Sequence, residues 1–220
     1  VRMRSLFMEE KWLDQTMPLV DSLLDGDPDF PVLVATREQF RALTGYEVTR
    51  GALAAFERPP LPRVEDLLAS ARRVAVLEDI TNYTNIGAVF RSAAALGVDA
   101  VLLTSAGSDP LYRRAVKSSM GASLELPWRR LDGDADLARL KEAGFRLVAS
   151  TLSPRAVPLG DYQAPEKLAL LLGTEGSGLS DAWLEAADDH VTIPMTELVD
   201  SLNVATAAAL AFYERARSTG

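Results

Sequence analysis

The stretch LALLLGTEGSGLS, residues 168–180, joins an uninterrupted apolar run to a loop that has three glycines in six positions. An apolar run without alternating polar residues is typical of a parallel strand that is covered on both faces. Residues 74–77, VAVL, repeat this pattern earlier in the chain. Ligands of parallel α/β sheets bind beyond the carboxyl ends of the strands, so we expect the loops after these two runs to carry function.

Outward from these runs, hydrophobic periodicity predicts a regular alternation of strands and helices. Further strands are predicted at 100–103, 123–126, 146–150 and 190–193, with helices near 85–97, 110–118, 134–143, 180–186 and 201–217. This alternation predicts an α/β fold with a mostly parallel sheet.

The first 58 residues predict a separate small α/β domain. Its strands are expected at 4–8, 32–34 and 51–56, and its helices around 9–24 and 36–44. Three prolines between residues 57 and 63 disfavour both helix and sheet. We therefore place a linker at 59–66 and a large domain at 67–220.

The composition narrows the chemistry that is available to the chain. With no cysteine and a single histidine, a thiol nucleophile, a disulfide framework and a Cys/His zinc site are excluded, and we expect no metal. No uncharged apolar run approaches the roughly 20 residues of a membrane span, and we recognise no signal peptide. We therefore expect a cytoplasmic protein without a membrane partner. The net charge of −8 argues against loose association with nucleic acids but allows a local basic patch.

The loop after residues 74–77 leads into Asn85-Ile86-Gly87-Ala88-Val89-Phe90-Arg91. Asn85 is a favourable N-cap, and Arg91 follows six residues later. We expect the amide and the cation on roughly the same helix face, above one cleft. Spacing alone favours a simpler interpretation, a capped helix with a solvated arginine.

The glycine loop, Gly173-Thr174-Glu175-Gly176-Ser177-Gly178-Leu179, allows positive φ angles and a close approach of another segment or a ligand. It lacks the Gly-Lys-Ser/Thr ending of a phosphate-binding P-loop. Neither this loop nor the first one has the dinucleotide fingerprint, which disfavours NAD and FAD. Taken alone, the glycine loop is also compatible with a tight turn.

A third segment, Ile193-Pro194-Met195 followed by Asp200-Ser201-Leu202-Asn203-Val204, runs directly into the last predicted helix. Ser201 or Asp200 can cap this helix, whose first N–H groups would then face the strand-end cleft. The alternative is a Pro-bearing loop with an apolar plug. Alanines along the helix allow another helix to pack closely against it.

In this order, the three segments resemble the motifs of the SpoU-type (TrmH-like) RNA ribose methyltransferases of the SPOUT superfamily. They appear as Asn85-x-Gly87-x-x-x-Arg91, Gly173-Thr174-Glu175-Gly176-x-Gly178-Leu179, and Ile193-Pro194-Met195 with Ser201-Leu202-Asn203-Val204. The resemblance covers about residues 70–217 and includes family-like sequence at 109–122. Asn82-Tyr83 departs from the Asp-Pro of many members, so we expect the entry to the first motif to differ in shape.

Residues 1–58 look similar to the small ribosomal-protein-like RNA-binding domain that often precedes this catalytic domain. The chain starts at Val1 and enters an apolar stretch almost at once. We therefore expect this small domain to lack its first strand or helix.

The resemblance implies a deep C-terminal trefoil knot with S-adenosylmethionine bent into the knot loops. It also implies that another segment or the cofactor touches the backbone at Gly173, Gly176 and Gly178. The implied cofactor-binding residues are Thr151, Leu152, Gly173, Thr174, Gly176, Ile193, Met195, Ser201 and Leu202.

The catalytic residues that the resemblance implies are Arg91, Asn85, Glu175, Ser201 and Asn203, with Glu175 as a partner of Arg91 or Asn85. Arg91 either loses its proton transiently with help from an RNA phosphate or stabilises the alkoxide that develops on the ribose. The implied partners are RNA, either ribosomal or transfer with ribosomal favoured, and a second copy of the chain in a homodimer. The alternative is a non-catalytic RNA-binding protein that retains the fold.

Charge is unevenly distributed along the chain. Residues 131–220 carry 7 Lys+Arg against 14 Asp+Glu, whereas residues 64–130 carry 8 against 7. We predict that Arg113, Arg114 and Lys117 bind RNA as a basic strip, which Arg129 and Arg130 extend after the next strand. The alternative is a solvated helix face.

Overall fold

The computed structural model describes residues 2–23, 29–46, 52–133, 135–196 and 198–217. Residues 24, 51 and 134, at the ends of three predicted elements, lie outside the described residues. The chain divides into two units, Val1–Pro60 and Leu61–Gly220.

The small unit has a three-stranded sheet with two helices. Its elements are β1 (Met3–Glu9), a 3-10 turn (Glu10–Trp12), α1 (Leu13–Leu23), β2 (Val32–Ala35), α2 (Arg37–Thr44) and β3 (Ala52–Phe56). β1 lies in the middle, parallel to β2 and antiparallel to β3. Alternate side chains of β1 face opposite sides. Leu6 and Met8 pack with Val20 of α1, and Phe7 stacks on Phe40 of α2.

The large unit has a sheet in which every neighbouring pair of strands is parallel, in the order β6-β5-β4-β9-β7-β10-β8. In chain order its elements are α3 (Val64–Ser70), β4 (Arg73–Leu77), α4 (Tyr83–Ala95), β5 (Ala100–Leu103), α5 (Arg113–Ser118), α6 (Ala122–Glu125), β6 (Trp128–Arg130), α7 (Ala135–Glu142), β7 (Arg146–Ser150), β8 (Val157–Pro158), a 3-10 turn (Leu159–Asp161), β9 (Leu168–Leu172), α8 (Asp181–Ala186), β10 (Asp189–Thr192) and α9 (Val204–Arg217). The α/β fold with a mostly parallel sheet is confirmed.

The two apolar runs are the central strands β4 and β9, paired in register from Arg73 opposite Leu168 to Leu77 opposite Leu172. Every residue of β9 is buried, because helices cover both faces of the sheet. α4 and α9 contribute to the core on one face, and α3, α7 and α8 contribute to the core on the other. This double cover explains the absence of polar alternation.

Small residues bring the helices of the first face close together. A Cβ at Gly87 of α4 would overlap with Ser118 Oγ and with the carbonyl oxygen of Ala115 in α5. Ala205, Ala208 and other alanines of α9 are buried in the core that α9 shares with α4. The close packing that the alanines allow is therefore used within the chain.

The predicted strand at 123–126 is wrong, because residues 122–125 form the short helix α6 and the strand begins after Pro127. Met120 and Gly121 both have positive φ angles, 53° and 87°, which turn the chain sharply before α6. The Leu126 N–H then donates to the carbonyl of Ala122. Leucines in every second position of this segment imitate a strand pattern.

Besides α6, β6 and the 3-10 turn at Leu159–Asp161, two elements were not predicted, the helix α3 and the two-residue strand β8. α3 begins at Val64, inside the predicted linker, and its first turn carries Glu65 and Asp66, which favour a helix N-terminus. None of the described helices is long and apolar enough to cross a membrane. The trefoil knot and the incomplete small domain stay predictions.

Candidate active site

A cavity of about 370 Å³ opens at the carboxyl edge of the large sheet, beyond β7, β9 and β10. Its lining includes all nine residues that the sequence analysis assigned to cofactor binding. They come from three segments: 150–152, 173–179 and 193–202. These segments lie together because β9, β7 and β10 are neighbours in a parallel sheet and end at the same edge.

The lining of the cavity combines apolar and anionic groups. Ile193, Met195 and Leu202 supply apolar side chains, while Glu175 and Asp200 supply carboxylates. No cationic side chain occurs among the described lining residues. The cavity therefore suits a ligand with an apolar part and a positive charge. No group of His, Asp or Glu in the described part of the chain could hold a metal ion.

The glycine loop folds back on itself as a tight turn. The Thr174 N–H donates to the Gly178 carbonyl (3.1 Å), and the Gly178 N–H donates to the Thr174 carbonyl (3.0 Å). A Cβ at Gly173 would overlap with the backbone of Gly178, which itself has a φ of +71°. The close approach at Gly173 thus comes from the other end of the same loop. At Gly176 a Cβ would meet no protein atom within 4 Å, and its contact with the cofactor stays a prediction.

Asn85, Glu175 and Asn203 form a hydrogen-bonded network beside the cavity. Asn85 Nδ2 donates to Glu175 Oε1 (2.7 Å), and Asn203 Nδ2 donates to Asn85 Oδ1 (3.1 Å) and to Glu175 Oε1. Asn85 is buried, whereas Glu175 and Asn203 are exposed. The network joins α4, the glycine loop and the start of α9, and it orients the Glu175 carboxylate at the cavity wall.

The N-cap of α4 is Asn82, so the prediction that Asn85 caps this helix is wrong. Asn82 Oδ1 accepts hydrogen bonds from the N–H groups of Thr84 (2.8 Å) and Asn85 (3.2 Å). Because the helix starts earlier than predicted, Asn85 lies within its first turn. Its side chain is therefore available for Glu175.

The first N–H groups of α9 are capped by Asn203 and not, as predicted, by Ser201 or Asp200. Asn203 Oδ1 accepts from the N–H groups of Ala205 (3.0 Å) and Thr206 (3.3 Å). Asn203 thus uses its oxygen for the helix and its nitrogen for the network. Ser201 and Asp200 lie in the cavity lining instead.

Arg91 lies on α4 away from the network. Six residues after Asn85, it is rotated by about 120° around the helix axis. Arg91 is exposed, whereas Asn85 is buried. The prediction that the two side chains share a helix face is therefore wrong. Arg91 is not among the described lining residues of the cavity, and of the two predicted partners Glu175 binds Asn85.

Residues 72–213 match the SpoU rRNA Methylase family. The chain belongs to this family. The matched region of this SpoU protein contains every predicted catalytic and cofactor-binding residue, and it begins after the small unit.

This SpoU protein is similar in sequence or in structure to proteins of three bacteria. An uncharacterized tRNA/rRNA methyltransferase of Mycobacterium tuberculosis (strain ATCC 25618 / H37Rv) is 48% identical over 192 residues, which are 86% of this chain and 67% of the relative. The 23S rRNA (guanosine(2553)-2′-O)-methyltransferase RlmP of Bacillus subtilis is 30% identical over 178 residues, 81% of this chain and 69% of RlmP. The structure of the SpoU methyltransferase AviRb from Streptomyces viridochromogenes has a TM-score of 0.78 at 26% identity and covers 98% of this chain and 82% of AviRb.

Only part of the basic strip predicted for this SpoU protein is exposed, and this part lies on the short helix α5. Its exposed members are the three cations of α5: Arg113, Arg114 and Lys117. Arg129 and Arg130 are partly buried and donate hydrogen bonds to backbone carbonyls of neighbouring loops, at distances from 2.9 Å. The prediction that these two arginines extend the strip is therefore wrong.

Sequence reasoning missed Glu78, which stabilises the same edge of the sheet. Glu78 is buried, and its carboxylate accepts from the N–H (2.8 Å) and the Oγ (2.6 Å) of Ser180. These bonds fix the start of α8 to the end of β4. A carboxylate placed directly after a fully buried strand is the signal that could have identified it.

Proposed function

We propose that this chain is an S-adenosylmethionine-dependent methyltransferase that methylates a ribose 2′-hydroxyl of RNA. The observation that carries the proposal is that Glu175 belongs both to the cavity lining and to the network with Asn85 and Asn203. A cofactor site and an acceptor site therefore share one side chain. Membership of the SpoU rRNA Methylase family supports RNA methylation, and the relative RlmP is named as a 2′-O-methyltransferase.

The lining of the cavity fits S-adenosylmethionine. Ile193, Met195 and Leu202 offer apolar surface to the adenine, and the carboxylates of Glu175 and Asp200 suit the positive charges of the cofactor. AviRb, the structural neighbour, has also been solved in complex with AdoMet. When bound, the cofactor supplies an electrophilic methyl group on a sulfonium.

The residues around the cavity hold and activate the acceptor. A ribose hydroxyl is a poor nucleophile, so it must be held in line with the methyl group, and the charge that develops on its oxygen must be stabilised. Asn85 and Asn203 orient Glu175, and Ser201 presents a hydroxyl at the cavity wall. The bound cofactor would supply the methyl group to the ribose oxygen, and the hydroxyl proton would pass to water.

We assign Arg91 an electrostatic role. A guanidinium is a permanent cation in proteins and binds phosphate through two parallel hydrogen bonds. Arg91 is exposed, so an RNA phosphate can reach it without displacing other side chains. In this role it positions the RNA backbone, while water accepts the proton of the ribose hydroxyl.

The RNA is held, in this proposal, by the cations of α5 and by the small domain at 1–58. Ribosomal RNA is the favoured substrate, because RlmP is named for 23S rRNA. With such a substrate we expect the protein in the cytoplasm.

We also propose a homodimer that uses the exposed side of α9. The alanines of α9 are largely covered within the chain, and the exposed side carries Leu210 and Tyr213, which are 42% and 57% exposed. Sedimentation should show one species near twice 23.8 kDa, and Leu210→Glu should shift it towards a monomer. A wild-type monomer that is fully active would contradict the dimer.

Methyl transfer is tested with isotopically labelled S-adenosylmethionine and total RNA from a strain that lacks the gene. After digestion to nucleosides, we expect the label on a ribose 2′-oxygen. Label on a base would contradict ribose methylation. Absence of label, with both cofactor and RNA bound, would indicate a non-catalytic RNA-binding protein that retains the fold.

A further inference from the structure

Two tyrosines form an aromatic pair at the start of α4 and α5. Tyr83 is the first residue of α4, and Tyr112 directly precedes α5. Their ring centroids lie 4.2 Å apart, and the ring planes are inclined by 36°. Tyr112 is 45% exposed although one side of its ring lies against Tyr83. Solvent therefore reaches much of the remaining ring surface.

The phenylalanine pair of the small unit shows what a purely structural stack looks like. Phe7 and Phe40 lie 4.3 Å apart with nearly parallel rings, and Phe40 is only 2% exposed. Phe7 is half-buried, so neither ring of this pair is exposed. In the tyrosine pair Tyr83 is half-buried as well, but Tyr112 is exposed, so a ligand can reach its ring.

The surroundings of Tyr112 are positively charged. The next two residues are Arg113 and Arg114, and Lys117 follows one turn later. α5 contains no acidic residue, in a chain whose net charge is −8. Asp109, the nearest acidic residue along the chain, accepts a hydrogen bond from the Leu111 N–H. An exposed aromatic ring beside cations is the combination that single-stranded nucleic acids bind, through base stacking and phosphate contacts.

The aromatic pair also lies close to the candidate active site. Tyr83 and Asn85 share the first turn of α4, and Asn85 donates a hydrogen bond to Glu175 in the cavity wall. A nucleotide whose ribose lies at Glu175 therefore has its chain neighbours within reach of the first turn of α4 and the start of α5.

We propose that Tyr112, supported from behind by Tyr83, stacks on an unpaired base of the RNA next to the methylated nucleotide. The proposal rests on the proposed function and narrows its substrate to RNA that is single-stranded at the site. Stacking on an aromatic side chain is open only to a base whose face is free, since bases inside an A-form helix are covered by their neighbours. The cations of α5 hold the phosphates on either side of that base.

The test compares three substitutions of one residue. Tyr112→Phe keeps the ring, Tyr112→Leu keeps apolar bulk without an aromatic face, and Tyr112→Ala removes both. The probes are a fluorescein-labelled oligoadenylate and a fluorescein-labelled RNA duplex of the same length. We expect the Leu and Ala variants to bind the single strand roughly tenfold more weakly than wild type, because stacking on one base is lost. The Phe variant should bind like wild type, and duplex binding should not change.

Further measurements separate stacking from charge and from folding. The slope of log affinity against log salt should be the same in all four proteins, since no phosphate contact is removed. S-adenosylmethionine affinity should be unchanged, and this readout shows that each variant is folded. Equal weakening by Phe and Ala, equal weakening for the duplex, or unchanged single-strand binding in the Leu variant would each overturn the proposal. Methyl transfer by the wild type tests the proposed function separately, because stacking can fail while transfer persists.

Discussion

The two edges of the large sheet use polar side chains in opposite ways. At the amino edge, where the strands begin, charged groups pair with one another: Arg72 with Glu166, and Arg146 with Asp189. At the carboxyl edge, the Asn85 network joins loops around a cavity. The cations on the helices that follow the strands lie exposed there.

This difference separates groups that contribute to stability from groups that contribute to activity. Exposed ion pairs such as those of the amino edge contribute little each, because water and salt screen them. The carboxyl edge holds its amides in one geometry, which a catalytic site needs. Substitutions at the two edges should therefore produce distinct combinations of stability and turnover.

The largest effect is expected from Arg91→Ala. Losing the group that positions the RNA backbone should lower methyl transfer by roughly 100-fold, because misplaced reactants react far more slowly. S-adenosylmethionine affinity should hardly change, because Arg91 is not among the described lining residues of the cavity. The measurements are single-turnover methyl transfer and equilibrium cofactor binding. Arg72→Ala, an arginine of the opposite edge, is the matched control and should keep both. Loss of cofactor binding in Arg91→Ala would contradict the assignment.

The next effect is expected from Gly173→Ala compared with Gly176→Ala. The new Cβ at position 173 overlaps with the backbone of Gly178, whereas the one at position 176 meets nothing within 4 Å. Overpacking of this kind costs about 1–3 kcal/mol, so we expect a melting temperature lower by roughly 2–12 °C and weakened cofactor binding for Gly173→Ala. Calorimetry measures the melting temperature, and titration with S-adenosylmethionine measures cofactor binding. Equal melting temperatures for the two variants would contradict the described loop geometry.

Substitutions of Asn203 can separate its two roles, which are to cap α9 and to hold the network with Asn85 and Glu175. Asn203→Ala removes both, and loss of the cap costs about 0.5–2 kcal/mol of stability. Asn203→Asp keeps an oxygen for the N–H groups of Ala205 and Thr206 but places a second carboxylate beside Glu175. We expect Asn203→Asp to melt near the wild-type temperature and to lose turnover nonetheless. If Asn203→Asp turned over normally, the network would have no role in catalysis.

A change in salt dependence is expected for the double variant Arg113→Ala with Arg114→Ala. Each lost phosphate contact should flatten the plot of log RNA affinity against log salt by about 0.7–0.9, through one fewer released counterion. Arg129→Ala serves as the comparison and should leave the slope unchanged, because this arginine donates to the Pro62 carbonyl. An unchanged slope in the double variant would place the RNA elsewhere, with residues 1–58 as the next candidate.

The smallest effect is expected at the amino edge. Hydrogen bonds from Arg146 lower the pKa of Asp189, so this pair adds stability above the unfolded pKa of about 3.9 and loses it as the pH falls through the lower folded value. Arg146→Gln should lower the melting temperature by about 1–3 °C at neutral pH, and the difference should vanish in acid. Turnover should be unchanged. If the difference in melting temperature between wild type and Arg146→Gln grew as the pH falls, the pKa of Asp189 would not be lowered by Arg146.

The sheet and the loops at its strand ends could be predicted because both depend on local signals, whereas the cofactor-binding residues came from the resemblance to the SpoU-type methyltransferases. Apolar runs mark β4 and β9, and residue types at the strand ends mark the loops. The predictions that failed concern the direction in which a side chain points, or contacts between residues that are distant in the sequence. The six-residue spacing puts Arg91 about 120° from Asn85 around α4 wherever the helix begins, and the N-cap lies three residues before Asn85, at Asn82.

Distant partners also explain the other errors at the carboxyl edge. Whether an arginine such as Arg130 is exposed depends on loops that fold next to it, here the carbonyl of Thr104. The resemblance pointed to Asn203 as a catalytic residue, but not to its hydrogen bonds, because its partners Asn85 and Glu175 are brought to it only by the complete sheet. No pattern along the chain records such contacts.

Hydrogen exchange with and without S-adenosylhomocysteine tests most directly whether the carboxyl edge is the active site. We predict that bound ligand slows exchange in residues 150–152, 173–179 and 198–204, whose segments line the cavity, and leaves the amino edge at 72–73, 166–168 and 188–190 unchanged. Protection at the amino edge, or in residues 2–23 of the small unit without protection of the glycine loop, would contradict the account.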